Sequence, residues 1–501
     1  MSDHMSGEAI YNQLRRLLPG ASAFLDSHRD KSLLEISQGF RRPGSPPSPR
    51  LLAAVEKLAA PGLGRELTAH LLDDLRNGAR ASAATHHGVE SYPELAQGNL
   101  LFALAEIRRS LDHEPFAPIL VLACENAPLN SATCPGGFLF GRRRQGDRYQ
   151  KIHLFKRSSD RVIVGRAPSL TREDLNLFLT RVDQADLQPF EKTGLKKIVG
   201  PLASDALFLG ASSFLDQAAR LNRRLWNQRF KGEKFPALAF LSLEGLASEC
   251  LIQDLAEADS LVSRLIFDQS AFDYVLKKLR GLSGCWHESL LSLPDGAIPS
   301  DRSRPLGTVL FWEINAVGQS SPMGLTMKKG QPALTGSALS LALRPEELIS
   351  ALTERKILPG LFLCFATLVL GHGLRTYGGV YMVDYLPRML APALEVCPPP
   401  RPVDLSWSSS LAAGLLPIQL DSGRPGWEGL YPAGAVELAA AGPLETDFFE
   451  RLMALKLSDI SPFSASEWCL EETRPEHRAR HWAENLESLR RASGGLRLSL
   501  T

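Results

Sequence analysis

Residues 81–124 read ASAATHHGVESYPELAQGNLLFALAEIRRSLDHEPFAPILVLAC. A stretch of small residues ends on Thr85-His86-His87-Gly88. A run of helical spacing follows from Pro93 to Leu111, and then a continuous apolar run from Pro118 to Cys124. A strand buried on both faces shows no polar alternation, so a short aliphatic run bounded by breakers is its signature. Strand, helix and strand in that order predict a β-α-β unit and therefore a parallel sheet.

Upstream, Ile10, Leu14, Leu17 and Leu18 fall on one helical face, and Leu51 to Ala60 and Leu63 to Asn77 keep helical spacing around the breaker-rich loop Arg42 to Pro47. Downstream, Gly137 to Gly141, Lys151 to Phe155 and Arg161 to Val164 are short strand candidates. Thr171 to Val182 is a helix whose Asp174 stands three residues after the capping Thr171. Ala237 to Leu243 reads as a strand leading into the helix Leu246 to Leu255, and Thr308 to Trp312 as a further strand. Pro345 to Arg355 and Leu361 to Leu370 read as helices, as do Thr446 to Lys456 and Ser466 to Arg491 near the end. Consecutive prolines deny the backbone its donors, so Cys397 to Pro402 reads as a connection. The expected class is α/β: a mixed sheet core, a helical N-terminal subdomain and a helical C-terminal segment. The divisions expected are 1–80, a core at 81–396, a proline-rich linker at 397–403, and 404–501 packing back on the core.

The 501 residues, 44% hydrophobic and 22% charged, are ordinary globular usage with enough chain for more than one core. With 56 basic and 55 acidic residues the net charge is +1, which disfavours nucleic acid as a partner and leaves any charged ligand to be met locally. The seven cysteines include no CxxC pair, and the first residues lack a secretory apolar region, so a reducing cytoplasm is the expected setting. The longest apolar run, Leu361 to Leu370, is about half of the roughly 20 residues that span a bilayer, so a membrane is not expected as a partner. Homo-oligomerisation is left open.

Ligands of parallel sheets bind beyond the carboxyl ends of the strands, so polar residues there are the first candidates. His86, His87 and Glu90 follow the first strand, and Glu125 and Asn126 the second; these supply acid–base candidates, with His86, His87, Glu90 and Glu125 in the catalytic roles. Adjacent imidazoles could also ligate a divalent metal, the one cofactor the sequence suggests, although neighbours on a regular strand point opposite ways. Gln97 and Asn99 flank Gly98 in the first turns of the helix, where backbone donors favour an anion. The turn-rich stretch Cys124 to Gly137 adds Asn130 and Cys134, and the glycine-rich stretch Gly371 to Gly379 adds His372, Arg375 and Tyr377 as substrate-binding candidates. Residues 142–166 carry nine basic side chains against two acidic ones, which a solvated hairpin face explains for most of them. The sequence holds no GxSxG, P-loop or HExxH motif.

Together these residues favour an enzyme acting on a small anionic metabolite by histidine and carboxylate acid–base or metal-assisted chemistry, with Arg375 as an anion clamp. The alternative is a non-catalytic ligand-binding or assembly protein.

Overall fold

The computed structural model describes residues 7–141, 149–232, 235–279, 310–328, 331–399, 401–423, 429–472 and 482–500. Five helices come first: α1 (Gly7–Leu17), α2 (Pro19–Ser27), α3 (Leu33–Phe40), α4 (Pro49–Leu63) and α5 (Arg65–Arg76). The β-α-β unit follows as β1 (Arg80–His86), α6 (Pro93–Leu111) and β2 (Ile119–Cys124). Pro93 sits at the first turn of α6, where a missing N–H costs nothing. The chain continues through the hairpin β3 (Gly137–Phe140) and β4 (Gln150–His153) to α7 (Arg172–Gln184), α8 (Pro189–Val199), α9 (Ala206–Leu209) and α10 (Phe214–Gln228). It then enters β5 (Leu238–Ser242) and α11 (Leu243–Leu255). Thr171 and Asp174 form a reciprocal capping box that fixes the start of α7.

The later strands are β6 (Phe311–Ile314), β7 (Ser320–Pro322), β8 (Gly324–Lys328), β9 (Gln331–Thr335), β10 (Ser340–Ala342), β11 (Ile357–Pro359), β12 (Arg375–Tyr377), β13 (Ile418–Asp421), β14 (Leu430–Pro432) and β15 (Leu496–Ser499). The central sheet is wholly parallel in the order β12-β1-β2-β5, and the others are small sheets of two or three strands. The class is α/β, as expected.

The central sheet is covered on both faces. Ala81, Leu120, Leu122, Ala239 and Leu241 share one core with Val55 and Leu71 of α4 and α5, Leu246 of α11, and the segment Leu361 to Leu370. Ile119, Val121, Ala123, Leu238 and Phe240 face the other way, with Ile36 of α3, Leu100 and Leu104 of α6, and Ile418, Phe449 and Trp468 from the last hundred residues. Each fully buried aliphatic side chain contributes about 1.5–3 kcal/mol, so β2, flanked on both faces, anchors the sheet. A third core joins β3 and β4 to α7, α8 and α10 through Phe138, Phe178, Leu195 and Phe214.

Several local expectations change. Arg161 to Val164 is not a strand: Ile163 makes a single isolated bridge to Pro128, and Val164 opens a 3-10 turn. Arg375 to Tyr377 is a strand rather than part of a flexible loop, because its three residues complete the sheet beside β1. The region after the proline run carries the sheet β14-β13-β15 as well as helices. The expected helix Ser466 to Arg491 is two helices, Leu457–Glu472 and Trp482–Arg491, with 473–481 outside the described residues. Leu361 to Leu370 is buried except at its first residue, and passes from α-helix to a π turn at Ala366. Among the described residues no helix is long and apolar enough to cross a membrane.

Candidate functional site

β1 and β2 lose register between Ser82 and Thr85: Ser82 pairs with Val121, but Thr85 pairs with Ala123. One extra residue on β1 is a bulge, and a bulge inverts the alternation of everything after it. His87, whose N–H continues the ladder to the Cys124 carbonyl at 2.8 Å, therefore falls on the side of Phe240 of β5. The two rings meet edge to face with centroids 4.9 Å apart. Gly88 then turns the chain with φ of +122° against Pro135, leaving no room for a Cβ.

Beyond the carboxyl ends of β2 and β5 lies a cavity of about 440 Å³. Its floor is His87, Glu125, Phe240, Leu241 and Ser242, and Leu58, Pro61 and Gly62 of α4 close one side. Asp216, Ala219, Arg220 and Arg223 of α10 form another wall, and Arg355 a further one. Arg220 and Arg223 are three residues apart on one helix and so share a face. Neither has an ion-pair or hydrogen-bonding partner among the described residues, and Arg223 is packed against the backbone of Gly62. Burial, and then the charge of Arg220, push the Arg223 guanidinium down from its ordinary range, against a smaller upward pull from Asp216 on the same wall.

Glu125 is 0% exposed; its Oε1 accepts from Arg355 Nη2 at 2.6 Å, and its Oε2 has no donor among the described residues. Glu244, in the first turn of α11, accepts from the backbone N–H of Glu125 at 2.8 Å and of Asn126 at 3.3 Å. Burial, and then the charge of Glu125, push Glu244 up to about 8, outweighing those backbone donors. His87 is the reverse case: burial holds its imidazole down at about 3, so it is neutral at physiological pH.

The other sequence candidates divide by place. Glu90 lies behind the cavity, not in its lining. Its Oε1 accepts from Asn99 Nδ2, its N–H is bonded to Asn222 Oδ1 at 2.9 Å, and Arg229 Nη2 stands 4.0 Å from Oε2. Burial pushes its carboxyl up to about 7. Asn99 also accepts from Ser82 Oγ at 2.9 Å, and Gln97 bonds Ile418 through both ends of its amide and donates to Ala433 O, so both amides stitch the interior. Gly98 lets α6 touch Ala413. Asn126 is partly buried beside Glu244, and Asn130 bonds Asp160 Oδ2 at 3.1 Å on the surface. Cys134 is buried 3.7 Å from His153 Nδ1, and burial pushes its thiol up to about 12, far from a thiolate nucleophile.

His372, Arg375 and Tyr377 belong to the opposite end of the sheet, since Arg375 pairs with Arg80, the first residue of β1. The length of β1, roughly 20 Å at about 3.3 Å per residue, separates them from the cavity, so Arg375 cannot clamp a ligand held at His87. Arg375 Nη2 donates to the Arg42 carbonyl at 2.5 Å, and Tyr377 packs on Phe40. His372 links Ser48 Oγ at 2.5 Å to Asp254 Oδ2 at 2.9 Å, a buried Ser-His-Asp chain in which Ser48 Oγ also caps α4 by accepting from Leu51 N–H.

The side chain of His86 and residues 142–148 of the basic stretch lie outside the described residues. Among the described residues no group of three or more His, Cys, Asp or Glu side chains is arranged to hold a metal ion, so the metal reading of His87 finds no donor set. Sequence reasoning missed Arg220, Arg223 and Arg355. The one signal for the first two was their spacing of three on an amphipathic helix, which a solvated face shows equally. Compared with protein-family models and with curated proteins, the chain matches none.

Proposed function

We propose that the chain is an enzyme acting on a small anionic metabolite in the cavity beyond β2 and β5. The observation that carries this reading is the pair Arg220 and Arg223, two guanidiniums without partners among the described residues on one wall of a cavity floored by His87 and Glu125. Two forked donors on one helix face suit a carboxylate or phosphate, which either can grip through two N–H groups. The apolar surface of Leu58, Leu215, Phe240 and Leu241 suits an apolar body attached to that group. Glu125 and Glu244, neighbouring carboxyls in unequal surroundings, are the pair from which acid–base chemistry would draw its proton.

Ligand binding without turnover is the second reading, and one observation favours it: Glu244 does not reach the cavity lining. Titration calorimetry with hexanoate, hexyl phosphate and hexylamine tests the shared premise. Both anions are expected to bind and the amine to fail, with Arg220→Gln and Arg223→Gln each weakening the anions at least tenfold. Equal affinities of wild type and both variants would remove the anion site.

A further inference from the structure

Gly88 N–H points at Nδ1 of its neighbour His87 at 3.1 Å. That N–H is not free to swing away, because Asn222 of α10 holds the turn on both sides. Its Nδ2 donates to the Gly88 carbonyl at 2.7 Å and its Oδ1 accepts from Glu90 N–H at 2.9 Å. Val89 N–H adds a bond to the Pro135 carbonyl at 2.9 Å. A neutral imidazole has one donor and one acceptor nitrogen, and a backbone N–H can only donate. Nδ1 is therefore the acceptor, and the single proton sits on Nε2. The ring is 2% exposed, and Phe240 fixes its plane from one side. Among the described residues Nε2 has no partner, and His87 lines the cavity.

We infer that His87 serves the cavity as a neutral hydrogen-bond donor through Nε2–H, and that the molecule bound there is an apolar carboxylate or phosphate bearing an acceptor oxygen, above all a carbonyl; this rests on the reading of the cavity as an anion site. The lone pair a general base would need is occupied at Nδ1 and replaced by a proton at Nε2, so His87 polarises the ligand's C=O and removes no proton. Burial disfavours an imidazolium at this position, which keeps the ring in the neutral form that the Gly88 contact selects. Asn222 is a positioning residue, since it aims the Gly88 N–H that selects the tautomer.

Two measurements on the full chain decide the matter. Two-bond 1H–15N correlation at neutral pH, with His87→Gln to assign the ring, is expected to show His87 as the Nε2–H tautomer. Asn222→Ala is expected to show a mixture. An Nδ1–H ring or an imidazolium in the wild type would overturn the inference without any ligand. Calorimetry with hexanoate and with 2-, 4- and 5-oxohexanoate reads the ligand class. At least one oxo acid is expected to bind about five- to tenfold tighter than hexanoate, the worth of one net hydrogen bond. His87→Phe should level the four acids, and His87→Gln, which keeps an N–H donor, should retain part of the preference. If hexanoate matches every oxo acid while Arg223→Gln still weakens all four, the donor role fails and the anion site stands. If Arg223→Gln changes nothing, the anion reading fails and takes this one with it.

Discussion

Glu125 and Arg355 show what one residue contributes to the cavity. A carboxylate with no exposed surface is costly unless paired, and the partner here is a guanidinium that is itself 42% exposed. Removing one member of a buried pair costs more than the pair is worth, because the survivor stays buried and charged. Arg355→Ala is therefore expected to lower stability by about 2 kcal/mol, below the usual 3–5 kcal/mol for a fully buried pair because water can reach the vacated position. Glu125→Gln in the same background should recover most of the loss, and urea unfolding of the two single variants and the double measures the coupling. A double variant as unstable as the sum of the singles would show that the two side chains do not interact. Glu125 and His87 were legible because each ends a recognisable strand. Arg220, Arg223 and Arg355 were not, since 131 residues of intervening chain separate Arg223 from Arg355, the partner of Glu125, and only folding joins them.

At the scale of elements, α6 carries two opposed effects at Gly98. Glycine inside a helix costs about 1 kcal/mol relative to alanine, so propensity alone favours Gly98→Ala. A Cβ at that position would stand 2.5 Å from the Cβ of Ala413 and 2.8 Å from its Cα, and neither can rotate away. Overpacking of this kind costs about 1–3 kcal/mol, so the substitution is expected to destabilise despite the better helix former. Chemical unfolding of the variant tests the sign; any stabilisation would mean that α6 and the Ala413 turn can separate at no cost. The Ser48-His372-Asp254 chain ties the start of α4 to α11 and to the turn before β12. His372→Ala should cost about 1–3 kcal/mol by removing its two buried hydrogen bonds, Ser48 Oγ keeping Leu51 N–H and Asp254 keeping Arg50, while leaving hexanoate affinity unchanged, since the chain lies at the far end of the sheet. Loss of binding without loss of stability would move His372 into the site. The bounds of α6 were readable to the residue because Pro93 opens it and its apolar face is long. β12 was not: its three residues among glycines carry no periodicity, and the neighbouring β1 alone makes them a strand.

The whole molecule buries carboxyl groups whose protons it holds more tightly than the unfolded chain does. Burial pushes Glu90 and Glu437 up to about 7 and Glu244 to about 8, from an ordinary value of 4.5. A raised carboxyl binds its proton more strongly in the folded state, so its full contribution is present below pH 4.5 and is lost as pH rises through 7 and 8. His87 acts in the other direction: its value falls from 6.5 to about 3, so acidification through that window charges the unfolded chain first and destabilises the fold. The two slopes oppose each other below pH 6.5, and above it the carboxyls act alone. Stability is therefore expected to fall between pH 6.5 and 8.5 by several kcal/mol, each pKa unit of difference being about 1.4 kcal/mol. Urea unfolding across that range checks the sign. Glu244→Gln should flatten the slope, most visibly between pH 7 and 8 where its proton is the last held. A wild type whose stability is level or rising over the same interval would mean that water or a charge partner reaches these carboxyls, and the dry, unequal surroundings invoked for Glu125 and Glu244 would lose their basis.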